Sequence, residues 1–141
     1  MAMQFADLQR CTHLVDDPAI LAVGWISRDT PYPRGETASP VFEKLVELCN
    51  NPWQPAVAAG HHICDVCQYD GQPLKSEVYV PGQGCIYVAP AGIIHYIAAH
   101  WYAPPEVFVQ AVIDCPPMRS MEYKRTLLKN GGGVLLAVSG G

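Results

Sequence analysis

The chain has 141 residues, of which 50% are hydrophobic, and its 13 acidic residues against 9 Lys and Arg give a formal charge of −4. This length is typical of one domain with its own hydrophobic core, so we expect a single domain over residues 1–141. The acidic balance argues against nucleic acid as a partner, which would need a dense basic patch. No apolar run has the roughly 20 residues of a membrane span, and no signal-peptide pattern opens the chain, so we expect no membrane association and a cytoplasmic location.

The first predicted elements are a buried strand and an amphipathic helix. Residues 20–26 form a continuous apolar run of strand length, and the prolines and glycine of residues 28–37 predict a loop. Ser39 and Pro40 then favour a helix start, with Ser39 as the cap and Pro40 at the first helical position. Apolar residues between positions 41 and 49 form one stripe, which predicts a helix up to Cys49.

A hairpin and two short helices are predicted next. Residues 76–80 and 85–89 flank a turn rich in Pro and Gly, which indicates a β-hairpin. One helix begins near Pro90, and a second covers about residues 104–115. The tail, residues 130–141, predicts either an added strand or a loose end. Together these elements indicate an α+β domain.

Cysteine and histidine residues concentrate in the middle of the chain. Cys64 and Cys67 form a Cys-x₂-Cys pair, and His95 and His100 follow. Two thiolates and two imidazoles suit tetrahedral Zn²⁺, and this order and spacing are typical of structural zinc sites. Knuckle, hairpin and helix follow one another as in a treble-clef-like zinc site. We therefore predict one Zn²⁺ bound by these four residues, within a zinc-binding substructure at about residues 60–115.

His100 is the least secure of the four predicted ligands. Five residues along a regular helix turn about 500°, so His95 and His100 should point about 140° apart and cannot both reach one ion. Three solutions remain open. The helix unwinds near Ala99, a short loop begins there, or His62 replaces His100 as a ligand in a His-x-Cys-x₂-Cys cluster.

The six cysteines also allow a disulfide framework or a thioredoxin-like redox pair. A framework is typical of secreted proteins, and a redox pair needs its first Cys at the start of a helix. Residues 68–73 contain Asp-Gly and Pro and do not favour such a helix, so metal binding is the preferred interpretation. The remaining four cysteines have apolar neighbours and are predicted to lie in or near the core; they are Cys11, Cys49, Cys85 and Cys115.

Aromatic residues surround the predicted site. Tyr96, Trp101 and Tyr102 are expected to close the metal off from solvent and pack in the core. A carboxylate such as Glu106 is expected to accept a hydrogen bond from them or from a ligating histidine.

Several motifs together resemble a family of small uncharacterised bacterial proteins. The resemblance covers about residues 20–125. It is carried by Gly24-Trp25-Ile26, Gly60-His61-His62-Ile63-Cys64-Asp65-Val66-Cys67, Tyr87-Val88-Ala89-Pro90, His95-Tyr96-Ile97 with His100 and Tyr102, and Pro104-Pro105-Glu106-Val107-Phe108. It implies a bacterial, zinc-binding domain and brings no named activity.

Two functions fit this pattern. The first is a zinc-stabilised module that binds another protein, because a closed shell of four protein ligands leaves no position for water. The alternative is a zinc-dependent hydrolase or nuclease with an open site and a general base among His62, His100 and Glu106. The sequence has no recognised hydrolase, deaminase, esterase or NTPase motif, which favours the binding module. The oligomeric state stays open.

Overall fold

The fold is known for most of the chain outside its middle. A computed structural model describes residues 6–11, 17–25, 31–50, 53, 77–90, 92–118 and 120–138. In chain order these ranges contain β1 (Ile20–Ala22), α1 (Ser39–Asn50), β2 (Glu77–Pro81), β3 (Ile86–Pro90), α2 (Ile93–His100), α3 (Glu106–Asp114), α4 (Met121–Lys129) and α5 (Gly133–Val138). The predicted α+β class is confirmed, whereas the predicted knuckle falls on residues outside these ranges. Across the described ranges, no helix combines the length and apolarity of a membrane span.

A three-stranded sheet in the order β1-β3-β2 organises the fold. The predicted hairpin is confirmed: β2 and β3 are antiparallel, and the Gly82 N–H donates to the Cys85 carbonyl at 2.8 Å across their turn. β1 runs parallel to β3, with Leu21 opposite Tyr87. Every residue of β2 and β3 is buried, which is typical of a sheet covered on both faces.

Helices cover the two faces of this sheet. Tyr87 pairs with Val80, the neighbour of Tyr79, and side chains alternate along a strand, so the two tyrosines point to opposite faces. The hydroxyl of Tyr123 in α4 donates to the Tyr79 carbonyl at 2.6 Å. On the other face, the Phe108 ring of α3 lies 5.9 Å from the Tyr87 ring. The sheet is therefore the middle layer between α3 and α4, with α1 packed beside α3.

Some predicted boundaries differ from the observed ones. The strand predicted over residues 20–26 ends at Ala22, because Gly24 takes a positive φ of 80° and turns the chain. α1 begins one residue earlier than expected. The Ala38 carbonyl accepts the Phe42 N–H at 3.1 Å, so Ser39 is the first helical residue rather than the cap.

The C-terminal part contains two helices that the sequence analysis did not predict. α4 begins after Ser120, whose hydroxyl accepts the Tyr123 N–H at 3.1 Å and caps the helix. Residues 133–138, for which a strand or a loose end was expected, form α5 instead. Leu135 of this helix is fully buried, so the last described turn belongs to the core.

The four cysteines predicted in or near the core lie there. Cys11 and Cys115 are buried, and Cys49 and Cys85 are half-buried. Desolvation raises the pKa of Cys49 to about 12. It also raises the pKa of Cys115 to about 11, against a smaller opposing effect of Lys44. Both thiols stay protonated at neutral pH and are poor nucleophiles.

Gly24 allows α2 to start directly against the end of β1. Its φ of 80° is in the left-handed region, and a Cβ built there would lie 2.8 Å from Cδ1 of Ile93. Gly84 in the hairpin has a similar φ of 76°, but a Cβ there would have no neighbour within 4 Å. The two glycines share a backbone requirement, and only Gly24 also has a packing requirement.

We expect Gly24→Ala to lower the free energy of unfolding more than Gly84→Ala. Both changes carry a left-handed backbone cost of about 1–2 kcal/mol, and Gly24→Ala adds about 1–3 kcal/mol of overpacking against Ile93. Urea unfolding of both variants measures the difference. Adding Ile93→Val, which removes Cδ1, should recover part of the loss in Gly24→Ala and none in Gly84→Ala. Equal losses in the two single variants would contradict the close approach of α2.

Candidate functional site

α2 carries the two histidines predicted to bind metal. Ile93 and Tyr96 are buried and fix this helix on the core, while His95 and His100 are half-buried on its accessible side. The helix ends at His100, and the next residue, Trp101, has a left-handed backbone. Both histidines therefore sit on one short helix whose two ends are held by the fold.

The structure brings the rings of His95 and His100 together. Their centroids are 5.1 Å apart and their planes are 82° apart. The expected separation of about 140° holds for a regular helix, but the last turn of α2 is wider. The Tyr96 carbonyl accepts the N–H groups of Trp101 and Tyr102, five and six residues further on, where a regular helix has four. A wider turn rotates less per residue, which brings the rings closer. The widened turn spans residues 96–102 and therefore includes both Ala99 and His100.

The spacing of the two rings and the electrostatics of His100 are compatible with metal binding. Two imidazole nitrogens on one tetrahedral zinc ion lie about 3.3 Å apart, which rings in edge-to-face contact can achieve. Desolvation lowers the pKa of His100, and the positive charges of His95 and Arg34 lower it further. A lowered pKa favours the neutral imidazole, which is the form that binds a metal.

The other predicted ligands, Cys64, Cys67 and the reserve ligand His62, lie outside the described residues. Within the described ranges, no three Cys, His, Asp or Glu side chains come together as a metal site. The sheet register shows at which end of the sheet the chain enters β2. Glu77 of β2 pairs with Pro90 of β3, three residues before α2 begins. The segment after Cys67 therefore joins the sheet at the end from which α2 starts.

Trp101 does not pack in the core as expected. Its side chain is 58% exposed and its φ is 57°, a strained conformation for a bulky residue. Hydrogen bonds around it hold this backbone in place. The Gly35 N–H donates to the Trp101 carbonyl at 2.9 Å, and the Ala103 N–H donates to the Pro33 carbonyl at 2.9 Å. The loop before α1 thus fixes the carboxyl end of α2.

Tyr102 is buried, but its partner is Asp7 rather than Glu106. Its hydroxyl lies 2.8 Å from both carboxylate oxygens of Asp7, whereas Glu106 is exposed at the start of α3. Burial raises the pKa of Tyr102, and the negative charge of Asp7 raises it further. No sequence signal indicated Asp7, because it lies 95 residues from Tyr102 along the chain.

One family profile covers most of the chain, including all four predicted ligands. The profile described as domain of unknown function DUF7919 matches residues 3–113. The chain belongs to this family. The match runs from the N-terminal segment to the last residues of α3 and does not include α4 or α5. No curated protein and no solved structure matches the chain.

We expect the exposed Trp101 ring to contribute little to stability. Trp101→Gly should change the free energy of unfolding by less than about 1 kcal/mol, because relief of left-handed strain offsets the greater freedom of unfolded glycine. Trp101→Val introduces a β-branched side chain at the strained position and should be less stable than Trp101→Gly by about 1–2 kcal/mol. Urea unfolding measures both. A loss above about 2 kcal/mol in Trp101→Gly would show that the ring supports the fold.

Proposed function

We propose that this protein is a zinc-stabilised bacterial domain that serves as a protein-binding or accessory module. Zn²⁺ is bound by Cys64, Cys67, His95 and His100 in a treble-clef-like knuckle. The observation that carries the proposal is the 5.1 Å contact of the two imidazole rings at the end of α2. The two histidines are five residues apart, and the helix that carries them has a widened last turn.

The donor set supports zinc rather than a harder cation. Thiolates and imidazoles are the ligands of structural zinc sites, while Mg²⁺ and Ca²⁺ prefer oxygen. The ten positions from Cys67 to Glu77 can extend at most about 35 Å, so the cysteine pair is tethered to the sheet end where α2 starts. This length allows the cysteine pair to reach the histidine pair on α2.

A closed shell of four protein ligands makes the site structural. Bound zinc holds the two thiolates and the two imidazoles together and contributes folding free energy, about 10 kcal/mol or more in isolated finger peptides. The lowered pKa of His100 favours its neutral form, which accepts the ion without first losing a proton. Cys64 and Cys67 have to be thiolates, which agrees with reduced cysteines in a cytoplasmic protein. Four such ligands leave no position at which water is activated, so we propose recognition of another protein rather than catalysis.

We expect protein purified without chelator to contain one zinc ion per chain. After replacement by Co²⁺, the spectrum should show four-coordinate d–d bands and thiolate charge transfer, unmoved by hydroxamate or azide. Elemental analysis and absorption spectroscopy measure both. Absence of stoichiometric metal would refute the zinc site. A saturable spectral shift with an intact fold would instead support the hydrolase or nuclease alternative. Retention of metal by His100→Ala and its loss in His62→Ala would move the fourth ligand to His62.

Cys67→Ser should loosen the fold selectively. Metal binding should weaken, and amide hydrogen exchange should accelerate in α2 and the β2–β3 hairpin more than in α1, because the zinc contributes stability where its ligands lie. Cys85→Ser is the matched control, since this half-buried cysteine is not a predicted ligand, and it should keep one zinc ion. Unchanged exchange in α2 of the Cys67→Ser variant would contradict the proposal.

A further inference from the structure

A surface groove lies between the amino end of α1 and the carboxyl end of α2. Its volume is about 490 Å³, and it is open along one side rather than enclosed. Phe42 of α1 and Ile97 and Trp101 at the end of α2 line it with apolar surface, and Glu36 and Glu43 also line it. We call this feature the α1–α2 groove. It lies next to the histidine pair but contains neither histidine.

The apolar part of the groove contains an aromatic ring held out in solvent. Trp101 is 58% exposed, while Trp25 and Trp53 are 3% and 9% exposed. Its strained backbone is fixed by the hydrogen bonds to residues 33–35 described above. Strained residues that the surrounding structure maintains concentrate at binding and catalytic sites. The indole face therefore has the exposure and rigidity of a recognition surface.

The charged part of the groove is acidic. Glu36 and Glu43 are both exposed, and neither forms an ion pair within the described part of the chain. Ile97 and Trp101 belong to the carboxyl end of α2, where the negative end of the helix dipole lies. The groove thus joins two carboxylates and a helix end of the same sign to an exposed indole ring.

The two described cations adjacent in sequence to groove residues, Lys44 and Arg34, make other contacts. Lys44, the neighbour of Glu43, donates from Nζ to the Cys115 carbonyl at 2.9 Å. The guanidinium of Arg34 lies 5.2 Å from the centre of the Tyr32 ring. Neither side chain lines the groove, so no cation of the described residues pairs with its two carboxylates.

We propose that the α1–α2 groove binds an arginine side chain of a partner protein, together with an adjacent apolar side chain of the same segment. This inference deepens the proposed function, on which it rests, by naming the chemistry of the partner. A guanidinium stacks on an indole face and pairs with carboxylates through its planar fork, and an ammonium does this less well. The groove has the volume of a few side chains, and Phe42 and Ile97 offer contact for the apolar neighbour.

Other ligand classes fit less well. The phosphates of a nucleic acid would be repelled by Glu36 and Glu43. A small organic molecule normally loses most of its surface to an enclosed pocket, whereas this groove is open. An extended peptide segment can bind to an open groove by inserting only its side chains.

The first test uses short peptides and the fluorescence of Trp101, the exposed tryptophan of the described part. Acetyl-Leu-Arg-Leu-amide is compared with the same peptide carrying citrulline, lysine or glutamate in place of arginine. We expect a saturable fluorescence change with arginine. Affinity should be at least about tenfold weaker with citrulline, which keeps the shape and loses the charge. Lysine should be intermediate and glutamate should not bind. No saturable change with the arginine peptide at millimolar concentration would overturn the proposal.

The second test removes the groove charges. Glu36→Gln combined with Glu43→Gln should weaken the arginine peptide at least about tenfold and leave the citrulline peptide unchanged. Glu47→Gln is the control, because it removes an exposed carboxylate from the same helix outside the groove, and it should bind like the parent. Trp101→Gly, measured by calorimetry because the fluorescent ring is gone, should also lose arginine binding while keeping its fold. Equal arginine affinity in the parent and the double variant would overturn the proposal.

Two further outcomes would assign a different occupant and overturn the proposal. Agmatine has the guanidinium but no peptide, and equal affinity for agmatine and the arginine peptide would show that the apolar neighbour is irrelevant. Self-association of the protein that is abolished by Lys124→Ala combined with Arg125→Ala would show that α4 of a second copy occupies the groove. Zinc content, measured on the same samples, separates the two proposals. Missing zinc with intact arginine selectivity would refute the zinc site alone, and stoichiometric zinc without arginine selectivity would refute the groove alone.

Discussion

The carboxylate of Asp7 joins three parts of the fold on which the candidate site depends. Its Oδ1 accepts the Gly24 N–H at 3.0 Å, and the Tyr102 hydroxyl lies 2.8 Å from each of its two oxygens. Gly24 in turn lies against Ile93, at the first turn of α2, and Tyr102 follows the last turn. Both ends of α2 are therefore positioned relative to the end of β1. The histidine pair and the exposed indole take their places from this arrangement.

The same arrangement explains why strain at Trp101 persists. A left-handed backbone at a bulky residue costs about 1–2 kcal/mol, so it is kept only where the neighbouring structure imposes it. Trp101 is followed by the buried Tyr102, and its own carbonyl accepts the Gly35 N–H. These two contacts fix the backbone of Trp101 in the left-handed conformation. The last turn of α2 is also irregular, because the Tyr96 carbonyl accepts the N–H groups of Trp101 and Tyr102, which lie beyond the regular position.

Elements with a strong local pattern could be predicted from the sequence. The hairpin depends on two β-rich runs around a Pro/Gly turn, and α1 and α3 depend on apolar stripes after proline. α4 also had a local signal, since Ser120 is a good cap and Tyr123 and Leu127 are four residues apart on its buried side. The sequence analysis nevertheless assigned no element to these residues. For α5, three consecutive glycines concealed the start of the helix.

The candidate site could be predicted only in part, because its geometry depends on contacts distant in sequence. Residue types and spacing indicated the histidines, but the contact of their rings depends on where α2 unwinds, which residues 33–35 help to determine. The partner of Tyr102 lies near the other end of the chain. The α1–α2 groove combines residues from two helices and a loop, and no motif in the sequence connects them.

The hydrogen bond from Tyr123 to Tyr79 bears on where the domain ends. The family profile stops at residue 113, before α4, although α4 covers one face of the sheet and Tyr123 and Leu127 are fully buried. A recombinant fragment cut at that boundary would leave a tyrosine-lined face of the sheet open to solvent and to other chains. The folding unit of this protein is therefore longer than the region that defines its family.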